Sequence, residues 1–517
     1  VFISLGLLFS LGHGMSIKTQ RKIHLFLFWP AILAMVIYIV SALAHPLMVW
    51  TGPQAKKMFA PSMNITNQHI QAIPQIVQNN ALTSLSGNNL ASITKLVPFK
   101  EQALLQITQD TKQARHYYST DTFQEIKNHD QQQAIWLASY FYGETLPIKS
   151  IELQTEFSNA YPAVNRLLPV YLIKFDTSDN LSMYIHTETM ALAGISNDWK
   201  RTLGFVFRNF HSFDWLDEAG ALRIAMVAIL TTLIFTMALT GLYLLIKIKR
   251  KKNALKNSPH QARRFHRLLA WVTAVPLIMF SGSGIYHLFM QAYAPSINDI
   301  QLPKNINLDH YQGLIELPDE ILNQDINHVS LINGMYRISV SPKTQEANSR
   351  AARFSGRSKE QSAIYIDAKT GKTLNRNDKE LAKHNAAMMI DADTIQINQV
   401  QLIKRFGPTY DFRNKRLPVW QVDFDTQGQN RVFIDPINNI LVDKNQIATR
   451  IEGYSFSFLH KWNMLIPLAG RLGRDIVISI VLSLGLILTV LGYLIRKRKH
   501  KAVAIEKITV EALDRAA

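Results

Sequence analysis

The sequence predicts a membrane protein: an all-α bundle of four transmembrane helices carrying two α+β domains outside the membrane, built as an internal parallel twofold repeat. Three observations predict it: four long apolar runs, basic residues gathered at one side of them, and blocks of sequence that return at a nearly constant offset.

The apolar runs are Ile23 to Ala44, Leu222 to Ile246, Phe265 to Phe289 and Ile476 to Ile495. Each reaches the about 20 residues that cross a hydrocarbon core about 30 Å thick. Their flanks set an orientation. Lys18, Arg21 and Lys22 precede the first run; Lys247, Lys249, Arg250, Lys251, Lys252, Lys256, Arg263, Arg264 and Arg267 fill the link between the second and third; Arg496, Lys497, Arg498, Lys499 and Lys501 follow the fourth. Arg and Lys are retained on the cytoplasmic side, so both termini and this link are expected there.

The resulting plan has a cytoplasmic N-terminus 1–22, spans 23–45, 222–246, 265–289 and 476–495, outer domains 46–221 and 290–475, a basic cytoplasmic loop 247–264 and a cytoplasmic tail 496–517. Residues 1–14 are apolar but too short to span, and Met15 is the expected start. The net charge of +18 thus reads as topology, not as a nucleic-acid footprint.

Within the outer segments, LPVYLIKFDT from Leu168 returns as LPVWQVDFDT from Leu417, an offset of 249. The same offset carries Tyr184 onto Phe433, Gly204 onto Gly453 and His211 onto His460. In the spans, His24, Trp29 and His45 recur 242 residues later as His266, Trp271 and His287, while Arg223 and Gly241 recur 251 residues later as Arg474 and Gly492. Such spacing indicates duplication. Two spans per half make the halves parallel, so equivalent residues can meet at a pseudo-twofold axis along the membrane normal.

Alternation around Val170 and Leu172, and in VWQVDF, predicts small antiparallel sheets; YIDAKTGKTL from Tyr365 is a further strand–turn unit with Gly371 at the turn. The Gln- and Asn-rich stretches 64–89 and 106–133 are expected as amphipathic helices over the sheets.

The chain has no cysteine, so any metal depends on His, Met or carboxylate ligands. His24 and His45, like His266 and His287, stand 21 residues apart, about 31 Å along a helix. That spacing sets an imidazole near each membrane face. Histidine pairs between apolar helices suit haem b, whose iron takes two axial imidazoles, and two haems are expected, one near each face. A zinc site or a histidine proton relay are the other chemistries open to these residues. His24 with His266 is the expected pair on the cytoplasmic side. On the outer side His45, His287, His211 and His460 compete. Arg223, Arg474 and Arg471 are expected to meet haem propionates, with Trp29 and Trp271 beside the cofactor.

RKIH and RRFHR opening spans one and three, SGSG in span three, MALTGLYLL in span two and FLHKWNMLIPLAGRLGR before span four resemble the PepSY-associated transmembrane family of bacterial inner-membrane proteins. VYLIKFDTSDNLSMYIHTETMAL, AIYIDAKTGKTL and VWQVDFDTQGQNRVFIDPINNIL are similar to PepSY strands, and together the matches reach both halves. Some relatives are similar to haem-containing reductases of ferric siderophores or ferric iron. The resemblance therefore implies periplasmic outer domains, haem ligation at His24, His266 and His460, an unidentified cytoplasmic electron donor, a periplasmic ferric-siderophore or iron-chelate partner, and an oxidoreductase serving iron uptake. HKWN departs from the family's His-x-Gly at His460. The competing expectation is a haem-free, membrane-anchored PepSY receptor or regulator of a periplasmic peptide or protease.

Overall fold

The computed structural model describes residues 16–79, 93–109, 112–248, 261–293, 306–315, 317–322, 325–340, 348, 363–389, 396–426 and 428–514. His13, most of the basic loop and the end of the Gln-rich stretch 64–89 lie outside the described residues. The chain divides into two compact units: a membrane unit from Val1–Thr51, Thr202–Pro295 and Ile451–Ala517, and a sheet unit from Gly52–Arg201 and Ser296–Arg450.

In the membrane unit, α1 (Ile17–Phe26) and α2 (Phe28–Thr51) are separated at Leu27. Pro30 explains the break: it has no N–H to return to the carbonyl of Phe26, while its fixed φ is tolerated in the first turn of α2. His24 therefore sits on a short helix of its own, and the straight-helix estimate for His24 to His45 does not hold. It does hold for His266 and His287, both on the unbroken α4 (Gln261–Tyr293). The remaining helices are α3 (Gly220–Lys247) and α5 (Ile466–Asp514), the latter broken at Gly470, whose φ of 67° and ψ of −179° are open only to glycine. Four helices are long and apolar enough to cross a membrane. They pack in the cyclic order α2, α3, α4, α5 around Ala34, Met35, Ile39, Ile234, Ala238, Leu277 and Leu482. Small residues let the backbones approach; a Cβ on Gly282 would lie 3.1 Å from the Phe235 ring.

The sheet unit contains fifteen strands among the described residues. The first segment supplies β1 (Ile93–Phe99), β2 (Gln102–Thr108), β3 (His116–Ser119), β4 (Ile148–Gln154), β5 (Val170–Phe175), β6 (Ser182–His186) and β7 (Ala191–Ser196). The second supplies β8 (Ile326–Ile332), β9 (Met335–Val340), β10 (Ala363–Asp367), β11 (Thr373–Leu374), β12 (Ile397–Ile403), β13 (Val419–Phe424), β14 (Arg431–Asp435) and β15 (Ile440–Asn445). Gly371 takes the positive φ expected of its turn.

Two four-stranded sheets run β4-β5-β6-β7 and β12-β13-β14-β15. They correspond strand for strand, down to register slips at Tyr184/Ile185 and at Phe433/Ile434. The third sheet, β11-β10-β9-β8-β1-β2-β3, draws on both segments through the antiparallel pairing of β1 with β8. The two outer segments, divided by the sequence into separate domains, thus build one sheet in common.

The stretch 106–133, expected as helix, holds the end of β2, all of β3 and only the start of the helix His129–Tyr142. The error has a physical source. Gln106 is fully buried, not solvent-facing. Tyr365, Arg337, Ser330, Lys95, Gln106 and Tyr117 stand opposite one another in turn across six strands, forming a buried polar row on one face. The other face is apolar, with Leu96, Leu105, Tyr118, Val329, Ile338 and Ile366 under the helix Asn67–Gln78.

The polar row is met by charged groups. Lys95 Nζ donates to Glu188 at 2.9 Å and to Asn438 at 3.0 Å, and Arg416 bridges Glu188 and Asp435 at 2.5 and 3.0 Å. Burial alone would raise the Glu188 carboxyl; Arg416 and Lys95 outweigh it and hold the group well below the usual carboxylate range. His186 accepts from Arg115 at Nε2, 2.9 Å away, and its Nδ1 lies 2.7 Å from Thr189 Oγ1 and accepts the Thr189 N–H at 3.3 Å. Burial, then the Arg115 charge, holds this imidazole well below its ordinary value.

As pH falls through about 6.5, the unfolded chain binds a proton at His186 that the native sheet refuses. Stability should then decline by about 1.4 kcal/mol per pH unit. Hydrogen-exchange protection of β5 and β6, corrected for intrinsic rates, should fall between pH 6.5 and 5, and His186→Gln should lessen that slope by one proton. Equal slopes in the two proteins would refute the assignment.

Candidate functional site

The predicted histidines gather at two levels of the membrane unit. At the first, His24 and His266 lie near enough for their charges to interact. His24 Nδ1 is 3.1 Å from Thr240 Oγ1, and His266 Nδ1 is 3.2 Å from the carbonyl oxygen of Leu488. Thr240 already donates its hydroxyl proton to Thr236 O at 2.9 Å, so Thr240 Oγ1 accepts and His24 Nδ1 donates. The Leu488 carbonyl can only accept. Gly241 and Gly492 let the rings approach: a Cβ at either would lie 3.3 Å from His24 Cε1 or 3.5 Å from His266 Cε1.

The second level is built by two π-helical turns, Arg208–Ser212 and Phe456–His460, which carry His211 and His460. Each turn is followed by a bulky residue in the left-handed region, Phe213 at φ 55° and Trp462 at φ 51°. Such a conformation costs about 1–2 kcal/mol in a non-glycine residue. Packing holds it: Phe213 and Trp462 are buried, Trp462 stacks on Phe280 at 5.2 Å, and Phe213 meets Tyr38 edge-on at 6.2 Å.

The resulting imidazoles face each other, with ring centres 6.3 Å apart and planes at 72°. His211 Nδ1 is 3.2 Å from Ser41 Oγ, and His460 Nδ1 is 3.3 Å from Ser283 Oγ and 3.1 Å from Phe280 O. Both serines spend their protons on their own helices, Ser41 on Tyr38 O at 3.1 Å and Ser283 on Met279 O at 2.6 Å. His211 and His460 therefore also donate through Nδ1. Ser283 lies 17 residues beyond His266 on the unbroken α4, so about 25 Å of helix separates the two levels.

His45 and His287 flank the second pair, each against a phenylalanine ring. Phe207 stands between His45 and His211, at 5.5 and 4.8 Å. Phe456 stands between His287 and His460, stacked at 4.0 and 4.6 Å. His45 is exposed, whereas His287 Nδ1 is paired with Glu452.

The arginines engage groups of the chain itself, and the tryptophans are exposed. Arg223 donates to Ser212 O at 2.8 Å and pairs with Asp214 and Asp217. Arg474 pairs with Asp475 at 2.6 Å, and the half-buried Arg471 is engaged as well. Trp29 and Trp271 are 52% and 55% exposed, on the outside of the bundle, where interfacial anchors stand.

The profile of the PepSY-associated TM region matches residues 28–314, more than half of the chain. The chain belongs to the PepSY-associated transmembrane family. No curated protein matches it. Within this PepSY-associated protein, the Thr-Gly of MALTGLYLL and the second serine of SGSG are the groups on which His24 and His460 rest. Neither role was read from the sequence; Gly241 was legible as half of a recurring pair, but an acceptor hydroxyl carries no signal apart from its partner.

In the apoprotein, His24, His266, His211 and His460 should all be Nδ1–H tautomers. Histidine-selective ¹⁵N spectra, assigned through single His→Gln variants, test this; an Nε2–H tautomer at any of the four would contradict the hydrogen bonding described.

Proposed function

We propose that the protein is a transmembrane b-type cytochrome with two haems. It would pass electrons from a cytoplasmic donor to a periplasmic ferric siderophore or ferric iron chelate across a bacterial inner membrane. One observation carries the proposal: four half-buried imidazoles stand in two pairs, each with Nδ1 committed and no hydrogen bond to Nε2 among the described residues. A second hydrogen bond of this kind fixes the ring and raises the basicity of the ligating nitrogen. Two imidazoles with nitrogens about 2 Å from one ion put their ring centres about 6 Å apart, a separation that His211 and His460 fit.

His24 with His266 would hold one haem and His211 with His460 the other. Haem b bound between such pairs supplies one-electron transfer with no open iron position. Among the described residues no cluster of three His, Cys, Asp or Glu could cage a bare ion, whereas haem asks for two imidazoles. The recurring sheets and histidines support a duplicated chain with a pseudo-twofold along the membrane normal, and the basic flanks support cytoplasmic termini with the sheet unit in the periplasm. One electron reduces substrate Fe(III) to Fe(II), which hard oxygen ligands hold less tightly, so reduction would release the iron.

Detergent-purified protein from haem-supplemented cells should show a Soret band and reduced α bands. His24→Ala or His266→Ala should remove about half of the haem by pyridine haemochrome assay, and His211→Ala or His460→Ala the other half. His45→Ala and His287→Ala should keep both. Absence of the bands would leave the haem-free receptor as the better reading.

A further inference from the structure

Before α3, and before the break of α5 at Gly470, each half carries a hairpin, residues 204–219 and 453–470. Its first limb runs antiparallel to a span. A Cβ on Gly204 would lie 3.6 Å from Met48 Sδ, Phe207 packs by His45, and His211 meets Ser41 and Tyr38, so the partner on α2 moves toward the first histidine level as the chain advances. In the second half Phe456 stacks on His287, and His460 reaches Ser283 and Phe280 of α4. Helix length sets the depth. From Phe265, where the apolar run of α4 opens, about 20 residues cross about 30 Å of hydrocarbon. Phe280 and Ser283 stand 15 and 18 residues along, so the tip at His460 falls short of the far boundary of the hydrocarbon by about 3–8 Å.

At that depth a turn has to answer its polar groups from within the chain, and both tips do so. The Phe213 N–H returns to the Arg208 carbonyl and the Lys461 N–H to that of Phe456, closing each π-helical turn. Trp215 Nε1 donates to Asn209 O at 3.1 Å, and Trp462 Nε1 to Leu459 O at 3.2 Å. Asp214 and Asp217 are paired with Arg223. The side chains turned outward are apolar. Phe205, Phe210 and Trp215 are exposed, and so are Tyr454, Leu459 and Met464, which stand at the same three positions 249 residues later. The residue type differs at all three, while apolar character and exposure are shared. Beyond the second tip Leu468 is 84% exposed. Apolar surface of this extent is unusual against water. Along the chain it runs on into the exposed Leu222 of α3 and Leu472 of α5, at the heads of two spans.

We propose that both hairpins are re-entrant membrane elements, immersed in the leaflet opposite the His24–His266 level with their outward side chains packed on phospholipid acyl chains. The residues assigned from sequence to the ends of the outer domains are thereby part of the lipid-facing surface. The inference rests on the membrane-spanning helices and not on the haem reading.

The chain has no cysteine, so one introduced cysteine carries a nitroxide at a single place. Phe210→Cys and Leu459→Cys, labelled in the full chain and reconstituted in phosphatidylethanolamine–phosphatidylglycerol nanodiscs, test the proposal by collision with O₂, which concentrates in hydrocarbon, and with NiEDDA, which stays in water. Both labels should meet O₂ severalfold more often than NiEDDA. The references are the exposed Ile229→Cys within α3, expected to behave alike, and the exposed Lys379→Cys on the sheet unit, expected to show the reverse. Where a tip variant fails to fold, as judged by its melting curve, Trp215→Cys or Met464→Cys takes its place in that half. A water-like ratio at either tip would overturn the proposal, and so would low collision with both reagents, the mark of a face covered by protein.

Discussion

Inside a bilayer there is no water to complete a hydrogen bond, so each polar group must be answered by the chain. The membrane unit depends on how this constraint is met. Thr240, Ser41 and Ser283 spend their protons on carbonyls of their own helices and keep their oxygens as acceptors. A helix carbonyl would otherwise be the only local acceptor for an imidazole, and at Leu488 one serves. The arrangement selects one tautomer at four sites and turns four Nε2 lone pairs away from the protein's own donors. Glycine at 241 and 492 then sets how closely each ring can lie against the neighbouring helix.

The second level meets the same constraint with a different backbone. A regular α-helix running directly into α3 or α5 would aim its side chains at intervals of about 100°. The π-helical turns add a residue and shift that aim, and the left-handed Phe213 and Trp462 then reverse the chain into the next helix. The strain falls on buried aromatics, whose packing can offset it, while the histidines two residues earlier remain half-buried. In each half the aiming of the ligand-type residue and the anchoring of the strained one are parts of a single local fold.

Much of this was legible in the sequence, and the remainder was not, for definite reasons. Four apolar runs announced α2 to α5, and the 249-residue offset anticipated that β5 and β13 would be counterparts. The break at Leu27 was signalled by Pro30, yet an apolar run hides a change of helix axis. Gln106 was misread because polarity was equated with exposure, and a buried polar row across six strands inverts that rule. The shared seven-stranded sheet was invisible because the pairing of β1 with β8 joins residues more than 230 apart with no common motif. Trp29 and Trp271 were expected beside a cofactor and are exposed, since a tryptophan in an apolar run reads alike as an interfacial anchor and as an interior ring.

Recurrence also fails to choose among the four histidines of the second level, and the differences between the halves are the better guide. His211 and His460 have matching surroundings: a stacked phenylalanine four residues earlier, a serine on the neighbouring helix and a ring at its back. His45 and His287 do not match. Glu452 pairs with His287, but the position equivalent to Glu452 at the 249-residue offset is the buried Leu203, and His45 is exposed. A carboxylate on one side only would give two imidazoles of unequal basicity. Equivalent surroundings belong to His211 and His460. The His287–Glu452 pair thus sets the surroundings of His287 apart from those of His45.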